Sequence, residues 1–578
     1  MIKFRNITEN DRQLIQSIVM QGDNRSCDLS YSNLVAWRFR FGTQFSIVDD
    51  FLLVKFFHGD TQTYLMPAYS RQTAADERFA DRVENVIRLM REDAIAMGHP
   101  PLLIGSDTVI TDIIRQRFGD FFTIEERRDF ADYIYLREKL VTLSGKKLQG
   151  KRNHINKFKA TYPDYTYRDL TEDLLPLCVR LEMQWRKRRQ STGEGESMMY
   201  ELRAMTRSMR RWEKLQLVGG TLWVDGNLVA FTYGCPLTDD TFDVLVEKAD
   251  SDYEGAYQMI NQEFVKRLPE KYTYINREDD MGLEGLRKAK LSYRPEILLM
   301  KYAVTESKPP GEFASPDRIK DETRALWHRT FQDSEAFEEL YFTKVFRHEY
   351  NCFTIIGNKV VGAVQTLPYT LLYHGEEAPI SYVSGTSVDE NCRKEGIGRN
   401  IMLQALRKMK CAKKVFAALI PAEEWLYRWY GEMGFVQQIT CTPPLADVVS
   451  TPFERLDSLQ RAKDCIVLHD EEQWKILQEE RLLTGSQPIE KPIAGMIRVI
   501  DAGQALALYA RIHPELEEIL HVNDEQLEQN DAFYIIRSGN VIRTDKPHVE
   551  ARYITIAQLA DMILGDEKLE MSAMLNEG

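Results

Sequence analysis

The sequence predicts an α+β protein made of three copies of one α/β unit, followed by a smaller α/β segment. Three observations predict this. Two apolar runs around a tight polar turn, a hairpin signal, occur at Ser46–Val48/Phe51–Phe57, Leu217–Val224/Asn227–Tyr233 and Phe353–Ile356/Lys359–Val364. Helical segments precede each hairpin. The second and third copies continue into a strand, a helix (Gly255–Arg267 or Gly396–Lys410) and a further strand. At 578 residues the chain exceeds a single core, so two to four domains are expected.

Composition narrows the class. With 43% apolar, 28% charged and 10% aromatic residues, the chain reads as ordinary globular protein. A net charge of −13 disfavours nucleic-acid binding by the chain as a whole. There is no run of 18 apolar residues and no apolar core near Met1, so neither a membrane span nor a signal peptide is expected. The eight cysteines are scattered without a Cys-x-x-Cys pair, the pattern of reduced thiols in a cytoplasmic protein without zinc.

The third copy carries the clearest chemistry. The strand Ile380–Val388 ends in a polar turn, Asp389 to Gly398, and an amphipathic helix follows with Ile397, Ile401, Leu403, Leu406 and Met409 on its apolar face. Glycines let a backbone approach a phosphate, and a helix N-terminus supplies free N–H groups and a favourable dipole. The chain lacks the Gly-x-x-x-x-Gly-Lys-Ser/Thr of a P-loop, and Ile401 stands where a dinucleotide loop needs its third glycine. A strand–turn–helix that binds nothing is the competing reading.

The spacing Arg393-x-x-Gly396-x-Gly398, followed by Tyr430-x-x-x-Gly434-Phe435, resembles the two signatures of the GNAT family of acyl-CoA-dependent N-acyltransferases. The resemblance implies acetyl-CoA or another acyl-CoA as donor. Thr386, Ser387 and Val388 would pair with the pantetheine arm, and Arg393, Lys394, Gly396, Ile397, Gly398 and Arg399 would hold the pyrophosphate. Tyr430 would protonate the departing thiolate and an N–H near Val388 would polarise the thioester; Glu390, Glu423 and Glu424 are the nearby carboxylates that could serve as base. Glu423 stands where many of these enzymes have an asparagine that contacts the cofactor.

A second resemblance covers roughly residues 1–303. The segments Leu143–Phe158 and Asn276–Pro295 are similar to the C-terminal catalytic domain of phosphatidylglycerol lysyltransferases, a fused pair of GNAT-like units related to the FemABX ligases. It implies aminoacyl-tRNA as a possible second donor. Lys146, Lys151, Arg152 and Asn153 lie in a segment rich in cations and free of acids. With Arg277, Glu278, Asp280, Lys288 and Lys290 they form the candidate substrate set, facing tRNA, an anionic lipid surface or a cationic amino acid. Solvated helix faces and a strand-end turn are the plain alternatives. The family's well-known members also carry a membrane-embedded domain that this sequence lacks, which weakens lipid lysylation.

The closing segment, from Met496–Asp501 to Thr555–Gly565, resembles the sterol-carrier-like domain of Eis-type acetyltransferases. The fold class is therefore α+β with a fused pair of GNAT-like units (1–140 and 141–303), a linker (304–314), one acyl-CoA-binding GNAT domain (315–443), a connecting segment (444–492) and a small sterol-carrier-like α/β domain (493–578). The expected activity is acyl transfer to an amine on a small molecule, lipid or peptide. The N-terminal half is either a second transferase or a module that recruits substrate. Acceptor identity, acyl length and oligomeric state are not readable.

Overall fold

The structure is a computed structural model. It describes every residue except 1, 60, 190–194, 308–314, 358, 486–490, 546, 547, 549, 566, 567 and 573–578. Most of the predicted linker therefore falls outside the described residues. The chain forms two compact units, residues 1–93 with 100–309, and residues 94–99 with 310–578.

Among the described residues the N-terminal unit has fourteen strands: β1 (Arg5–Asn6), β2 (Gln44–Val48), β3 (Phe51–His58), β4 (Thr61–Leu65), β5 (Leu102–Gly105), β6 (Phe122–Glu126), β7 (Asp132–Leu136), β8 (Thr166–Asp169), β9 (Val218–Val224), β10 (Asn227–Pro236), β11 (Thr241–Ala249), β12 (Tyr274–Asn276), β13 (Ile297–Leu299) and β14 (Tyr302–Glu306). They make two seven-stranded sheets, β1-β2-β3-β4-β5-β14-β6 and β13-β7-β12-β11-β10-β9-β8. The predicted hairpins are β2–β3 and β9–β10.

The boundary expected at residue 140 is corrected by these orders. β7 precedes that boundary yet lies in the second sheet, antiparallel to β12 and β13. β14, at the far end, lies in the first sheet between β5 and β6. Each sheet thus borrows a strand next to one of its edges from the other half. An apolar strand pattern fixes which face is buried but not which neighbours flank it, so the exchange has no local signal.

The second unit adds β15 (Asn351–Ile356), β16 (Lys359–Tyr373), β17 (Glu376–Val388), β18 (Phe416–Leu419), β19 (Val436–Thr442), β20 (Cys465–Leu468), β21 (Ile493–Val499), β22 (Glu518–Asn523), β23 (Ala532–Arg537), β24 (Asn540–Thr544), β25 (Arg552–Thr555) and β26 (Leu569–Ser572). Eight of them form the sheet β15-β16-β17-β18-β21-β19-β26-β20, and four form β24-β23-β22-β25.

The boundaries at 443 and 493 move as well. β21 inserts between β18 and β19, so the eight-stranded sheet is not complete before Val499. β20, from the expected connecting segment, and β26, near the chain end, also join that sheet. One apolar core joins Ile380, Phe416 and Ile497 of the large sheet to Leu506, Leu520 and Leu559 of the C-terminal part. The closing helix Ile556–Leu564 has Thr555 as N-cap, in a capping box with Gln558.

Candidate functional site

In the second unit the site is built by β17, β18 and the helix that follows each. β17 and β18 run parallel, but only Ile380–Tyr382 pair with Phe416–Ala418. β17 continues to Val388, leaving its last residues with no strand on that side. On its other side β17 carries a bulge: Gly385 and Thr386 together face Val364, between the pairs Gln365–Ser384 and Ala363–Ser387. Gly385 has φ +62, and a Cβ there would lie 1.9 Å from the Trp327 ring. Only glycine fits this bend. The pairing of β17 with β18 therefore ends at Tyr382, and the rest of β17 runs on beyond it.

The turn beyond Val388 ends at Gly396, which caps the helix Ile397–Cys411 with φ +83 and no side-chain cap. The first-turn N–H groups are left for an external acceptor. A Cβ on Gly396 would meet nothing within 4 Å, so the space ahead of the helix is open. Arg393, Lys394 and Arg399 are exposed around it. Nε of Arg393 donates to the Val388 carbonyl at 3.4 Å, and Lys394 is in the left-handed region at φ +68. Ile397 is buried beneath the loop and packs where a Cβ on Gly362 would sit. Ser387 turns inward, its hydroxyl 3.4 Å from the Ala363 carbonyl.

Tyr430 lies on the helix Glu424–Gly431 that follows β18. It is 4% exposed, packed against Trp429 and Phe435, and its hydroxyl hydrogen-bonds Thr386 beside the bulge. Burial pushes its pKa up to about 12, partly offset by Thr386. Glu390 and Glu424 are both exposed at the loop end of the site. Glu424 opens the helix six residues before Tyr430, about 9 Å along the axis. That separation sets the Glu424 backbone about a turn and a half away from Tyr430. Glu423 accepts from the Trp425 indole at 2.7 Å.

Arg498 is a residue the sequence reading missed. Fully buried on β21, it donates to the Met433 carbonyl at 2.7 Å, just past Tyr430, and to Asp524 at 2.6 Å. Asp524 in turn accepts from the N–H groups of Gln526 and Leu527 and from Asn530. A charged residue between Ile497 and Val499 was the available signal.

In the N-terminal unit the predicted substrate set divides. Lys151, Arg277, Glu278 and Lys290 converge. Lys151 Nζ and Arg277 Cζ lie 4.2 and 4.8 Å from the centre of the Tyr293 ring. Arg277 pairs with Glu247 at 2.7 Å and leaves Nη1 without a partner. Burial, then the Arg277 charge, lowers the Lys151 pKa. Lys290 donates to the carbonyls of Arg277, at 2.6 Å, and Asp279. Glu278 accepts from Asn33 at 2.8 Å, and burial raises its pKa to about 8.

The other members serve local structure or point outward. Asp280 is not an open carboxylate: Arg287, Arg128 and Tyr133 enclose it, and these bonds outweigh burial to hold its pKa well below the usual range. Arg152 donates to the carbonyls of Leu143 and Gly145, and Asn153 accepts from Gln149. Lys146 and Lys288 are exposed.

Residues not foreseen complete this cluster. Asp132, fully buried on β7, accepts from the Cys27 N–H at 2.7 Å, Asn276 at 3.0 Å and Lys301 at 3.0 Å. Asp243, fully buried on β11, has both oxygens without a hydrogen-bond partner; burial and the nearby acids Glu278 and Asp132 push its pKa far up. Asp243 interrupts an apolar strand and Asp132 opens one, again the readable signal. Among the described residues no helix is long and apolar enough to cross a membrane.

A break in strand pairing, a helix with glycine at its N-cap and a buried tyrosine come together in the second unit. Residues 317–436 match the acetyltransferase (GNAT) domain family, and residues 21–305 match the family of the phosphatidylglycerol lysyltransferase C-terminal domain. The chain thus matches one domain family in each of its two halves. A conserved protein of unknown function from Bacteroides thetaiotaomicron VPI-5482 is 45% identical, over 53% of this chain and 100% of its own, with a TM-score of 0.49. L-PGS from Bacillus licheniformis is 14% identical over 52% of this chain and 93% of its own, with a TM-score of 0.36. An uncharacterised protein of Mycoplasmoides gallisepticum is 26% identical over 175 residues, 30% of this chain; the chain spans 56% of that curated relative.

Proposed function

We propose that the second unit transfers the acyl group of acetyl-CoA, or of another acyl-CoA, to an amine. The carrying observation is the conjunction at β17: an unpaired strand edge, an open helix N-terminus at Gly396 and the Tyr430 hydroxyl at the bulge. The diphosphate sits on the first-turn N–H groups with Arg393, Lys394 and Arg399 around it. The pantetheine arm pairs along Thr386–Val388 like an added strand. A bulge frees a backbone N–H from the ladder, so the donor that polarises the thioester carbonyl falls at Gly385–Thr386 rather than at Val388.

The amine nitrogen attacks the thioester carbon, the C–S bond breaks, and the amine proton leaves to water or a base. Tyr430 acts on the sulfur. With its pKa near 12 it stays protonated at neutral pH. Complete proton transfer to a thiolate of conjugate acid near 8.5 is uphill by about 5 kcal/mol. Tyr430 therefore chiefly donates a hydrogen bond as negative charge builds on sulfur, and water completes the protonation.

The convergence of Lys151, Arg277, Glu278 and Lys290, with the unpartnered Asp243, favours a second reading for the N-terminal half. It holds a charged ligand and acts as an aminoacyl-tRNA-dependent transferase, in the cytoplasm, on the same lipid or peptide. Titration calorimetry of the full chain with acetyl-CoA, followed by thiol release with a panel of amines, tests the first reading. No heat of binding refutes it. Incubation with lysyl-tRNA and anionic vesicles tests the second: binding without turnover reduces that half to a recruiting module.

A further inference from the structure

Trp425 is 59% exposed, yet its ring is not free to wander. Its indole N–H donates to Glu423 Oε2 at 2.7 Å. The side chain stands in the first turn of the helix Glu424–Gly431. Trp429 follows four residues later, on the same face and about 6 Å along the axis. Trp429 reaches the glycine loop: a Cβ on Gly398 would lie 3.3 Å from its Cζ2 atom. An aromatic ridge therefore runs from the phosphate-facing loop outward to an exposed indole held in one orientation. A single exposed apolar residue needs no explanation; one tied by a hydrogen bond, one helical turn from a ring that touches the glycine loop, invites one. Holding an exposed ring lowers the ordering cost of stacking a ligand on it.

We propose that Trp425 is the stacking platform for the adenine ring of the acyl-CoA donor. The assignment rests on the acyl-CoA reading above. Adenine is neutral at physiological pH, so the carboxylates of Glu423 and Glu424 beside the platform do not repel the base, and in this placement the ribose 3′-phosphate of the donor points away from them. Stacking one base on an aromatic side chain is worth about 5- to 150-fold in affinity.

The test compares two donors sharing the thioester arm, acetyl-CoA and S-acetyl-4′-phosphopantetheine, which lacks the adenosine 3′,5′-bisphosphate half and with it the base. Trp425→Ala loosens acetyl-CoA about 5- to 150-fold, leaves S-acetyl-4′-phosphopantetheine within twofold, and leaves the melting temperature unchanged. Trp425→Phe keeps most of the acetyl-CoA affinity. Equal loss for both donors, or none for either, overturns the platform while the acyl-CoA site stands. A wild-type chain that binds neither donor overturns the acyl-CoA reading itself.

Discussion

Gly396→Glu is the sharpest perturbation of the acyl-CoA site. The new side chain points where nothing lies within 4 Å, so the fold has room for it. The backbone at φ +83 is strained for any L-residue, at about 1–2 kcal/mol. Gly396→Ala isolates that term and predicts up to about tenfold weaker acetyl-CoA binding. The glutamate adds a negative charge at the mouth of the cradle. Two unit charges about 4 Å apart at an effective dielectric near 20 repel by about 4 kcal/mol. That is roughly a further thousandfold. Calorimetric titration with acetyl-CoA at low and high salt, beside thermal melts, measures both. The alanine–glutamate gap narrows as salt screens the charge. If Gly396→Glu binds within threefold of Gly396→Ala at low salt, no diphosphate occupies this helix end.

Tyr430→Phe keeps the ring packing and removes the hydroxyl: kcat with a test amine falls about 10²- to 10⁴-fold while acetyl-CoA affinity holds, and stability drops about 1 kcal/mol. Gly385→Ala drives a methyl into Trp327 at positive φ and costs about 2–4 kcal/mol by urea unfolding, whereas Gly375→Ala, with open space at φ +84, costs only about 1–2. Arg498→Met strands the buried Asp524 and costs about 3–5 kcal/mol by denaturant titration, and Arg498→Met/Asp524→Leu recovers part of it. Glu278 holds its proton up to about pH 8 in the native state but only to about 4.5 when unfolded. Native stability of the N-terminal unit therefore falls as pH rises through that window. Glu278→Gln flattens this fall in a melting-temperature series against pH.

What the sequence disclosed was mostly local. The hairpin turns Asp49-Asp50 and Asp225-Gly226, the apolar stripe of Ile397–Met409 and the spacing from Arg393 to Gly398 are written in consecutive residues, and all lie where periodicity places them. Neighbours across a sheet are not written that way. Ile493–Val499 reads as a strand from any viewpoint, but only folding puts it between β18 and β19. The N-terminal cluster shows the same limit. Asp132 and Lys301 meet only because β7 crosses into the second sheet. Asp280 misled because its sequence neighbours suggested an open pair of acids, while Arg287, one helix further on, claims it. Asp132, Asp243 and Arg498 share a usable lesson: a charge set in or at the head of an apolar strand marks either a buried network or a ligand.

The reciprocal loan of β7 and β14 has a consequence for biogenesis. While the chain is being synthesised, the first sheet lacks an interior strand until residue 306 has cleared the ribosome. Until then β5 and β6 present unpaired edges, the kind of surface that invites aggregation or mispairing. Because closure joins segments distant in the chain, acquisition of native structure by this half is expected to be slow. A truncation ending at residue 140 or beginning at 141 breaks both sheets at once, so the smallest excisable N-terminal fragment must run past Glu306.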